Sequence, residues 1–256
     1  MTFTDPATIS LICLAVCFAA LALIEARQGT YGAADSERRI VTNFTIGIMS
    51  MALGTILPIG TVAASLFAGS HGLGLFSLLA LPWPVMLAIL LLARSLASYG
   101  VHRLSHVSPL LWRLHRVHHA DRAVDLSTAL RNHPLELLPV VLVAAGIVLL
   151  LGPPVGVVIA VDGILFAAAL WQHADIALPR WLEQWLGGLL VTPSVHRVHH
   201  SSSRAEHDRN YGDILILWDR LFGTYAPADL RTAPLGLEAG GHEADRFVAQ
   251  LASPFR

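Results

Sequence analysis

The sequence has little charge, almost no cysteine and no lysine. Only 14% of its 256 residues are charged, against roughly 25% in an average soluble domain, while 54% are hydrophobic and the mean hydropathy is +0.59. This composition excludes an ordinary soluble enzyme. A net charge of −1 also excludes the basic surface expected of a protein with a nucleic-acid partner. Cys13 and Cys17 lie four residues apart in an apolar stretch, where we expect them to pack as small apolar side chains.

Long apolar runs predict an all-α, polytopic membrane bundle of about four to five spans. Residues 8–24 form a first span, which we do not expect to be cleaved as a signal peptide. The segment between Arg39 and Arg94 contains only His71 as an ionisable group and predicts a hairpin of two spans with its turn at 70–74. Residues 137–151 and 155–171 meet at the helix breakers Gly152-Pro153-Pro154 and predict a second, shorter hairpin.

The arginines predict how this bundle is oriented. They cluster between the first and second spans and after the third span, whereas the turns at 70–74 and 152–154 contain none. The clustered arginines are Arg27, Arg38, Arg39, Arg103, Arg113, Arg116, Arg122 and Arg131. Because positive residues favour the cytoplasmic side, we expect the amino terminus outside and everything from His173 onward inside. The lack of lysine with abundant alanine, leucine and arginine favours a bacterial inner-membrane protein.

Histidine is the residue in excess, with 13 copies, and eight of them fall into three short motifs. The motifs are H-R-L-S-H at 102–106 and H-R-V-H-H at both 115–119 and 196–200. Residues three and four apart share a helical face, while the adjacent pair is splayed by about 100° and can serve two neighbouring metals. Eight imidazoles exceed the needs of one four-coordinate ion, so the motifs predict a two-metal site. The candidate ligands are His102, His106, His115, His118, His119, His133, His173, His196, His199 and His200.

The sequence does not contain the motifs of other common metal-binding or phosphate-binding sites. Arg103 occupies the place of the glutamate in an H-E-x-x-H zinc motif, and C-x-x-C pairs, repeated Glu-x-x-His motifs and phosphate-binding glycine loops are absent. We expect His71 and His242 to be solvent-exposed bystanders and rank His207 between them and the candidate ligands. Asp162, the one carboxylate inside a predicted span, either has a function or bonds to a neighbouring helix.

Taken together, these motifs resemble the eight-histidine signature of the membrane-bound fatty acid hydroxylase and sterol desaturase superfamily. The resemblance covers residues 97–225. It includes R-N-H-P-L-E at 131–136, Q-H-A-D at 172–175, D-R-N-Y-G at 208–212 and W-D-R-L-F-G-T at 218–224. It implies a non-haem site with two iron ions, for which zinc can substitute on purification. Such a site uses O₂ and external electrons to hydroxylate or desaturate a C–H bond of a fatty acyl, sterol or other isoprenoid lipid.

The resemblance also assigns roles to individual residues. Every candidate histidine except His133 would be a ligand, and His133 matches a family histidine. Asp208, Asn210 and Tyr211 would orient ligand imidazoles, whose second ring nitrogens need partners; the alternative is an ordinary Asp-x-Asn turn. No catalytic group beyond the ligands is assigned.

Physical chemistry supports iron and a membrane location. Zinc cannot change valence, and an oxidant able to attack a C–H bond must be kept from water. We expect electrons from a separate ferredoxin- or cytochrome-type donor with its reductase. Two alternatives remain: a metal-binding or transport protein predicts ligands spread through the membrane depth, and a membrane cytochrome predicts histidines near mid-depth. The gathering of the histidines at one membrane face disfavours both.

Three regions follow from these patterns. Residues 1–96 form an N-terminal transmembrane region, 97–225 a catalytic region with a cytosolic histidine-rich helical cap and the hairpin at 135–172, and 226–256 a peripheral tail. Within the catalytic region, residues 181–186 have the aromatic stripe of an interfacial helix. Residues 214–222 predict a final amphipathic helix over the histidines.

Overall fold

The protein is an all-helical bundle in the computed structural model, which describes residues 5–29, 37–57, 59–228, 234–237 and 243–256. Its described residues form thirteen α-helices and no strand. In chain order the helices are α1 Pro6–Gln28, α2 Glu37–Ile56, α3 Thr61–His71, α4 Leu75–Leu78, α5 Trp83–Val107, α6 Pro109–His119, α7 Leu137–Leu151, α8 Val155–His173, α9 Arg180–Leu186, α10 Pro193–His199, α11 Arg204–His207, α12 Leu217–Leu221 and α13 Phe247–Ala252. Short 3₁₀ helices cover Leu126–Leu130, Pro134–Glu136 and Ser253–Phe255.

Among the described residues, five segments are long and apolar enough to cross a membrane, in agreement with the predicted four to five spans. They are Pro6–Gln28, Thr61–Leu78, Trp83–Val107, Pro134–Leu151 and Val155–His173. The chain is therefore an integral membrane protein. The 19 residues of α8 extend over about 28 Å, close to the roughly 30 Å thickness of a hydrocarbon layer.

The second predicted span differs from the expectation, because it is broken into α2 and α3. Helix α2 ends at Ile56, and α3 begins at Thr61 after the extended residue Gly60. The cause lies in the polar residues of α2. Arg39 and Asn43 are buried and form hydrogen bonds with the segment after α6, so α2 lies at the polar end of the bundle. Helix α3 instead packs against α7 and α8.

Both predicted hairpin turns are confirmed, and they pack on each other at the opposite end of the bundle. Gly72 ends α3 and Gly152 ends α7 in left-handed conformations, with φ of 62° and 66°. The backbones approach so closely that a Cβ on Gly74 would lie 2.3 Å from the nitrogen of Gly152. Only glycine fits this contact.

A buried ion-pair network fixes the segment that follows α6. The Arg39 guanidinium lies 3.1 Å from an Asp121 carboxylate oxygen and also bonds Asp125. Asn43 and Thr128 each donate to the same Asp121 carboxylate at 2.8 Å. Only 2% of Arg39 is exposed. This arginine therefore stabilises the fold, in addition to being one of the arginines that predict the orientation in the membrane.

The C-terminal residues that the structure describes pack against this end of the bundle. Helix α13 contacts α2, and the carbonyl of Ala244 accepts a 2.7 Å hydrogen bond from the buried Arg131. The segment predicted as a peripheral tail thus contributes to the cap. Helix α12 is shorter than predicted, because residues near Ile214 and Leu215 instead bond backbone to backbone with the segment after α9.

Candidate metal centre

The two H-R-V-H-H motifs lie on helices that begin in the same way. Ser108 caps α6 and Thr192 caps α10, each followed by a proline at the first helical position. Helices α5 and α8 end beside these motifs, and their C-terminal turns bring His102 within 3.1 Å of His115 and His173 within 3.1 Å of His118. Helix termini therefore gather the imidazoles at one end of the bundle.

The structure brings nine of the ten predicted ligands into two groups. Within each group, one ligand atom per residue lies within 4.8 Å of every other. Site A consists of His102, His106, His115, His119 and His199. Site B consists of His118, His173, His196 and His200. Each group can hold a metal ion.

Each H-R-V-H-H motif contributes to both sites. In the first motif, His115 and His119 belong to site A, while His118 belongs to site B. In the second, His196 and His200 belong to site B, while His199 belongs to site A. Positions i and i+4 therefore share a site, and position i+3 serves the neighbouring one, as the angular separation along a helix allows.

The spacing of the imidazole nitrogens fits a metal ion. In site B, the Nε2 atom of His173 lies 3.1 Å from that of His118, 3.0 Å from that of His196 and 3.3 Å from that of His200. A metal–nitrogen bond of about 2.1 Å places two ligands about 3.0 Å apart at a right angle and about 3.4 Å apart at a tetrahedral angle. The observed separations lie in this interval.

The hydrogen bonds of the ring nitrogens that point away from site A determine the tautomers of its histidines. His102 donates through Nδ1 to the carbonyl of Tyr211 at 2.9 Å, and His199 donates through Nδ1 to the carbonyl of Arg209 at 2.7 Å. A neutral imidazole that donates through Nδ1 presents the lone pair of Nε2. Among the residues that the structure describes, the buried Nε2 atoms of His199 and His106 have no hydrogen-bond partner, as expected for nitrogens that ligate a metal.

Site B uses the same arrangement at His173. Its Nδ1 donates to the Ala169 carbonyl at 2.7 Å, one turn earlier in α8, and its Nε2 faces the other three imidazoles. These main-chain acceptors at residues 169, 209 and 211 were not predicted, because any residue type provides a carbonyl.

Two carboxylates contact site A, and sequence reasoning identified only one of them. Asp208, which the sequence predicts to orient a ligand imidazole, accepts from Nδ1 of His106 at 3.3 Å. Glu136 accepts from Nδ1 of His115 at 2.6 Å, and the sequence analysis assigned it no role, although it ends the R-N-H-P-L-E motif at 131–136. A carboxylate at the outer nitrogen fixes the ring and raises its basicity as a ligand.

Of the other two residues predicted to orient imidazoles, Tyr211 contacts ligand histidines and Asn210 does not bond one. Tyr211 orients His102 through its main-chain carbonyl, and its ring packs against three site A imidazoles. Asn210, with φ of 54°, donates to the carbonyls of Val195 and Ala226 and contacts no imidazole through these bonds. It links α10 to the segment after α12.

The remaining described histidines lie outside the two groups. Nε2 of His133 donates to the carbonyl of Leu251 at 3.2 Å, and its Nδ1 accepts from the peptide nitrogen of Leu135, so the structure does not bring it to either site. His71 is exposed, as expected. His207 and Asp208 form a third potential ligand group with His106 at the edge of site A. His242 lies outside the described residues.

Burial keeps the histidines of the cap neutral. Loss of hydration, with the neighbouring imidazoles as a further cause, lowers the pKa well below its usual value for five histidines that lie outside the apolar spans. These are His118, His119, His196, His199 and His200. Neutral imidazole is the form that ligates metals.

A largely apolar cavity of about 510 Å³ lies between α2, α5, α7 and α8, and two residues that bond clustered histidines line it. Glu136, which bonds His115, lines it, and so does Ala169, whose carbonyl accepts from His173. Deeper in the apolar layer its wall includes Val143 of α7 and Leu165 and Phe166 of α8. The volume falls within the roughly 300–1,000 Å³ typical of small-molecule sites.

Fold and site together define a polytopic helical membrane protein with two adjacent buried histidine clusters at one end. A sequence profile of the fatty acid hydroxylase family matches residues 87–224, and the chain belongs to this family. The motif resemblance that the sequence suggested is thereby confirmed. The matched segment contains all nine clustered histidines.

Curated relatives come from animals, bacteria and plants. The chain is 32% identical over 192 residues to alkylglycerol monooxygenase of Danio rerio, covering 73% of this chain and 40% of the relative. It is 31% identical over 176 residues to ornithine lipid hydroxylase OlsE of Rhizobium tropici, covering 68% and 52%. It is 30% identical over 151 residues to very-long-chain aldehyde decarbonylase GL1-9 of Oryza sativa subsp. indica, covering 57% and 55%. The chain thus spans about half the length of these relatives. No solved structure matches it significantly.

Proposed function

We propose that the protein is a lipid hydroxylase that uses two iron ions, O₂ and external electrons to oxidise a C–H bond of a membrane lipid. The observation that carries this proposal is the apolar cavity, which is lined by Glu136 and Ala169, the residues that bond His115 of site A and His173 of site B. A lipid chain in this cavity would bring its C–H bonds to the metal centre without crossing water.

The nine clustered histidines would hold the metals, five in site A and four in site B. Iron bound there would supply the one-electron redox steps that O₂ activation requires, which zinc cannot provide. The protein's own groups orient the ligands and exclude water. Glu136 keeps the proton on Nδ1 of His115, so that Nε2 faces site A. The apolar wall keeps the reacting carbon dry.

Hydroxylation is favoured over desaturation by the names of the relatives, which include a monooxygenase and a lipid hydroxylase. Both reactions begin with the same hydrogen abstraction and diverge in whether oxygen is added to the carbon. The two outcomes differ by mass, because hydroxylation adds one oxygen atom from O₂ whereas desaturation removes two hydrogen atoms.

We further propose that the metal centre faces the cytoplasm of a bacterial cell, with a separate ferredoxin- or cytochrome-type protein and its reductase supplying electrons. The support is the excess of arginine on the cap side, including the exposed Arg103, Arg113 and Arg122. Their positive charges also suit a donor with an acidic surface. The catalytic region is then 97–225, with residues 1–96 as the N-terminal membrane region.

Isotope labelling tests the proposed reaction. The protein is reconstituted in bilayer nanodiscs with iron(II), a ferredoxin, its reductase and NADPH, and exposed to ¹⁸O₂ with bacterial lipid extract. We expect one ¹⁸O atom in a lipid product, and none with the double variant His115→Ala, His196→Ala. Products that lose two hydrogens without gaining ¹⁸O would identify a desaturase. If metal-loaded protein forms neither product, the result would contradict the proposal that the protein oxidises lipids.

A further inference from the structure

The histidines of site A are buried, so an incoming metal ion needs a path through the protein. Four of the five are at most 5% exposed, namely His106, His115, His119 and His199. The cavity on the membrane side is largely apolar, and a divalent ion does not give up its water in such a space. An entry path must therefore offer polar groups that replace the water around the ion.

His207 and Asp208 form a polar pair at the edge of site A. The Asp208 side chain is 35% exposed, whereas that of His207 is 9% exposed. One ligand atom of each residue lies within 4.8 Å of a ring nitrogen of the buried His106. The pair therefore extends from the solvent to a histidine of site A.

The hydrogen bond of His207 turns a lone pair toward Asp208. Nδ1 of His207 donates to the carbonyl of Ser201 at 3.2 Å, so Nε2 of the neutral ring is an acceptor. This Nε2 atom lies 3.7 Å from Oδ1 of Asp208, which is an acceptor as well. Two acceptors that face each other are stabilised by a cation between them. Imidazole and carboxylate are both ligands of divalent metals such as zinc.

Arg204 contacts the same carboxylate without closing the edge of the site. Its Nε atom lies 3.1 Å from Oδ2 of Asp208, so Oδ1 still faces His207. The Arg204 side chain is 78% exposed, and exposed ion pairs four residues apart contribute little stability. The guanidinium can therefore move away when a metal ion arrives.

We propose that His207 and Asp208 form an entry site through which divalent metal ions reach site A. The ring centroid of His207 lies 5.7 Å from that of His106 and 5.8 Å from that of His119, and both of these histidines belong to site A. An ion held by the pair needs only a short movement to exchange Asp208 and bound water for these imidazoles. Its valence does not change. The inference rests on the proposed metal centre, but it does not depend on lipid oxidation.

The rate of cobalt(II) loading tests the entry site. Chelator-treated full chain in nanodiscs is mixed with cobalt(II), and the visible absorption of imidazole-bound cobalt is followed in a stopped-flow instrument. The variant His207→Gln keeps an N–H donor for the Ser201 carbonyl but loses the ring lone pair. We expect it to load at least about tenfold more slowly, because even a group that only supports a ligand contributes about this factor to metal affinity. Its final cobalt content should equal that of the native chain.

Release of cobalt to excess chelator provides the second measurement. An entry site changes loading and release by the same factor, because the affinity of site A is the ratio of the two rates. His207→Gln should therefore release cobalt more slowly as well, whereas a variant that only loosens the fold would release it faster. Native rates, faster release or a lower final cobalt content would each overturn the proposal. The control His71→Gln removes an exposed histidine at the opposite end of the bundle and should keep both native rates.

Arg204→Gln keeps the proposal testable if His207→Gln does not fold. It removes a positive charge beside Asp208 at an exposed position. Loading at low ionic strength should become at least about twofold faster, because a nearby positive charge repels the incoming ion. An unchanged rate in this variant would overturn the proposal. A native chain that binds no cobalt would contradict the proposed metal centre as well, whereas normal binding with unaffected rates would contradict the entry site alone.

Discussion

The Glu136 carboxylate accepts a 2.6 Å hydrogen bond from Nδ1 of His115 and lines the membrane cavity with the same side chain. Its second oxygen, Oε2, is buried and has no hydrogen-bond partner among the described residues. Glu136 therefore connects the cavity with site A. It also brings a carboxylate to a ligand set that consists only of imidazoles.

Replacing Glu136 by glutamine is expected to weaken metal binding at site A. The amide keeps the shape of the side chain but loses the charge that polarises His115, and changes of this kind typically cost about 10–100-fold in metal affinity. Titration of metal-free protein with cobalt(II) against a chelator should show one affinity lowered by this factor and the site B affinity retained. Two unchanged affinities would contradict the role of Glu136. The exposed Glu37 provides the control Glu37→Gln.

Filling the cavity should abolish lipid oxidation without removing the metals. Ala144 of α7 is 5% exposed and lines the cavity, so Ala144→Phe would occupy the space of the lipid chain. We expect oxidation of added lipid to fall at least about tenfold, with stability lowered by about 1–3 kcal/mol from overpacking. Leu150→Phe is the matched control, because Leu150 lies on the same helix and is 71% exposed. Full activity in Ala144→Phe would exclude this cavity as the lipid site.

Metal-free protein should lose stability as the pH falls below about 6.5. The buried histidines of the cap, such as His118 and His196, have a lowered pKa and stay neutral while the protein is folded. After unfolding each gains a proton near pH 6.5, so the unfolded state binds more protons below that pH. The free energy of unfolding then decreases by up to about 1.4 kcal/mol per pH unit for each histidine.

Thermal unfolding of chelator-treated protein in detergent between pH 8 and pH 5.5 measures this effect. The midpoint should stay level above about pH 7 and fall below pH 6.5. The double variant His196→Gln, His200→Gln should show a shallower decline, because it lacks two of the contributing groups. A midpoint that is independent of pH in the native sequence would show that the imidazoles are not buried and neutral.

Local signals in the sequence identified much of this structure. Gly72 and Gly152 marked the hairpin turns, because a left-handed residue next to a long apolar run is a strong stop signal. The H-R-V-H-H spacing predicted two metals served by a splayed histidine pair. The structure divides His118 and His119 between the two sites in this way.

The contacts that the sequence did not reveal are mostly long-range. Arg39 and Asp121 are 82 residues apart in the sequence. Arg39 lies near the start of α2, and a charged residue at such a position gives no sign that it will be buried in an ion pair. The same holds for Arg94 and Asp162, which come from different spans. The position of His133 was missed for another reason. Its place in an otherwise matching motif gave no sign that its ring would bond the C-terminal segment.

The most direct test of the central claim is the metal content of the purified chain. Elemental analysis after iron reconstitution should give about two metal ions per chain, with zinc and iron counted together. The double variant His196→Ala, His200→Ala removes half of the site B ligands and should give about one. A native chain that holds one ion or fewer, with no change in this variant, would contradict the two-metal centre and the oxidation chemistry proposed for it.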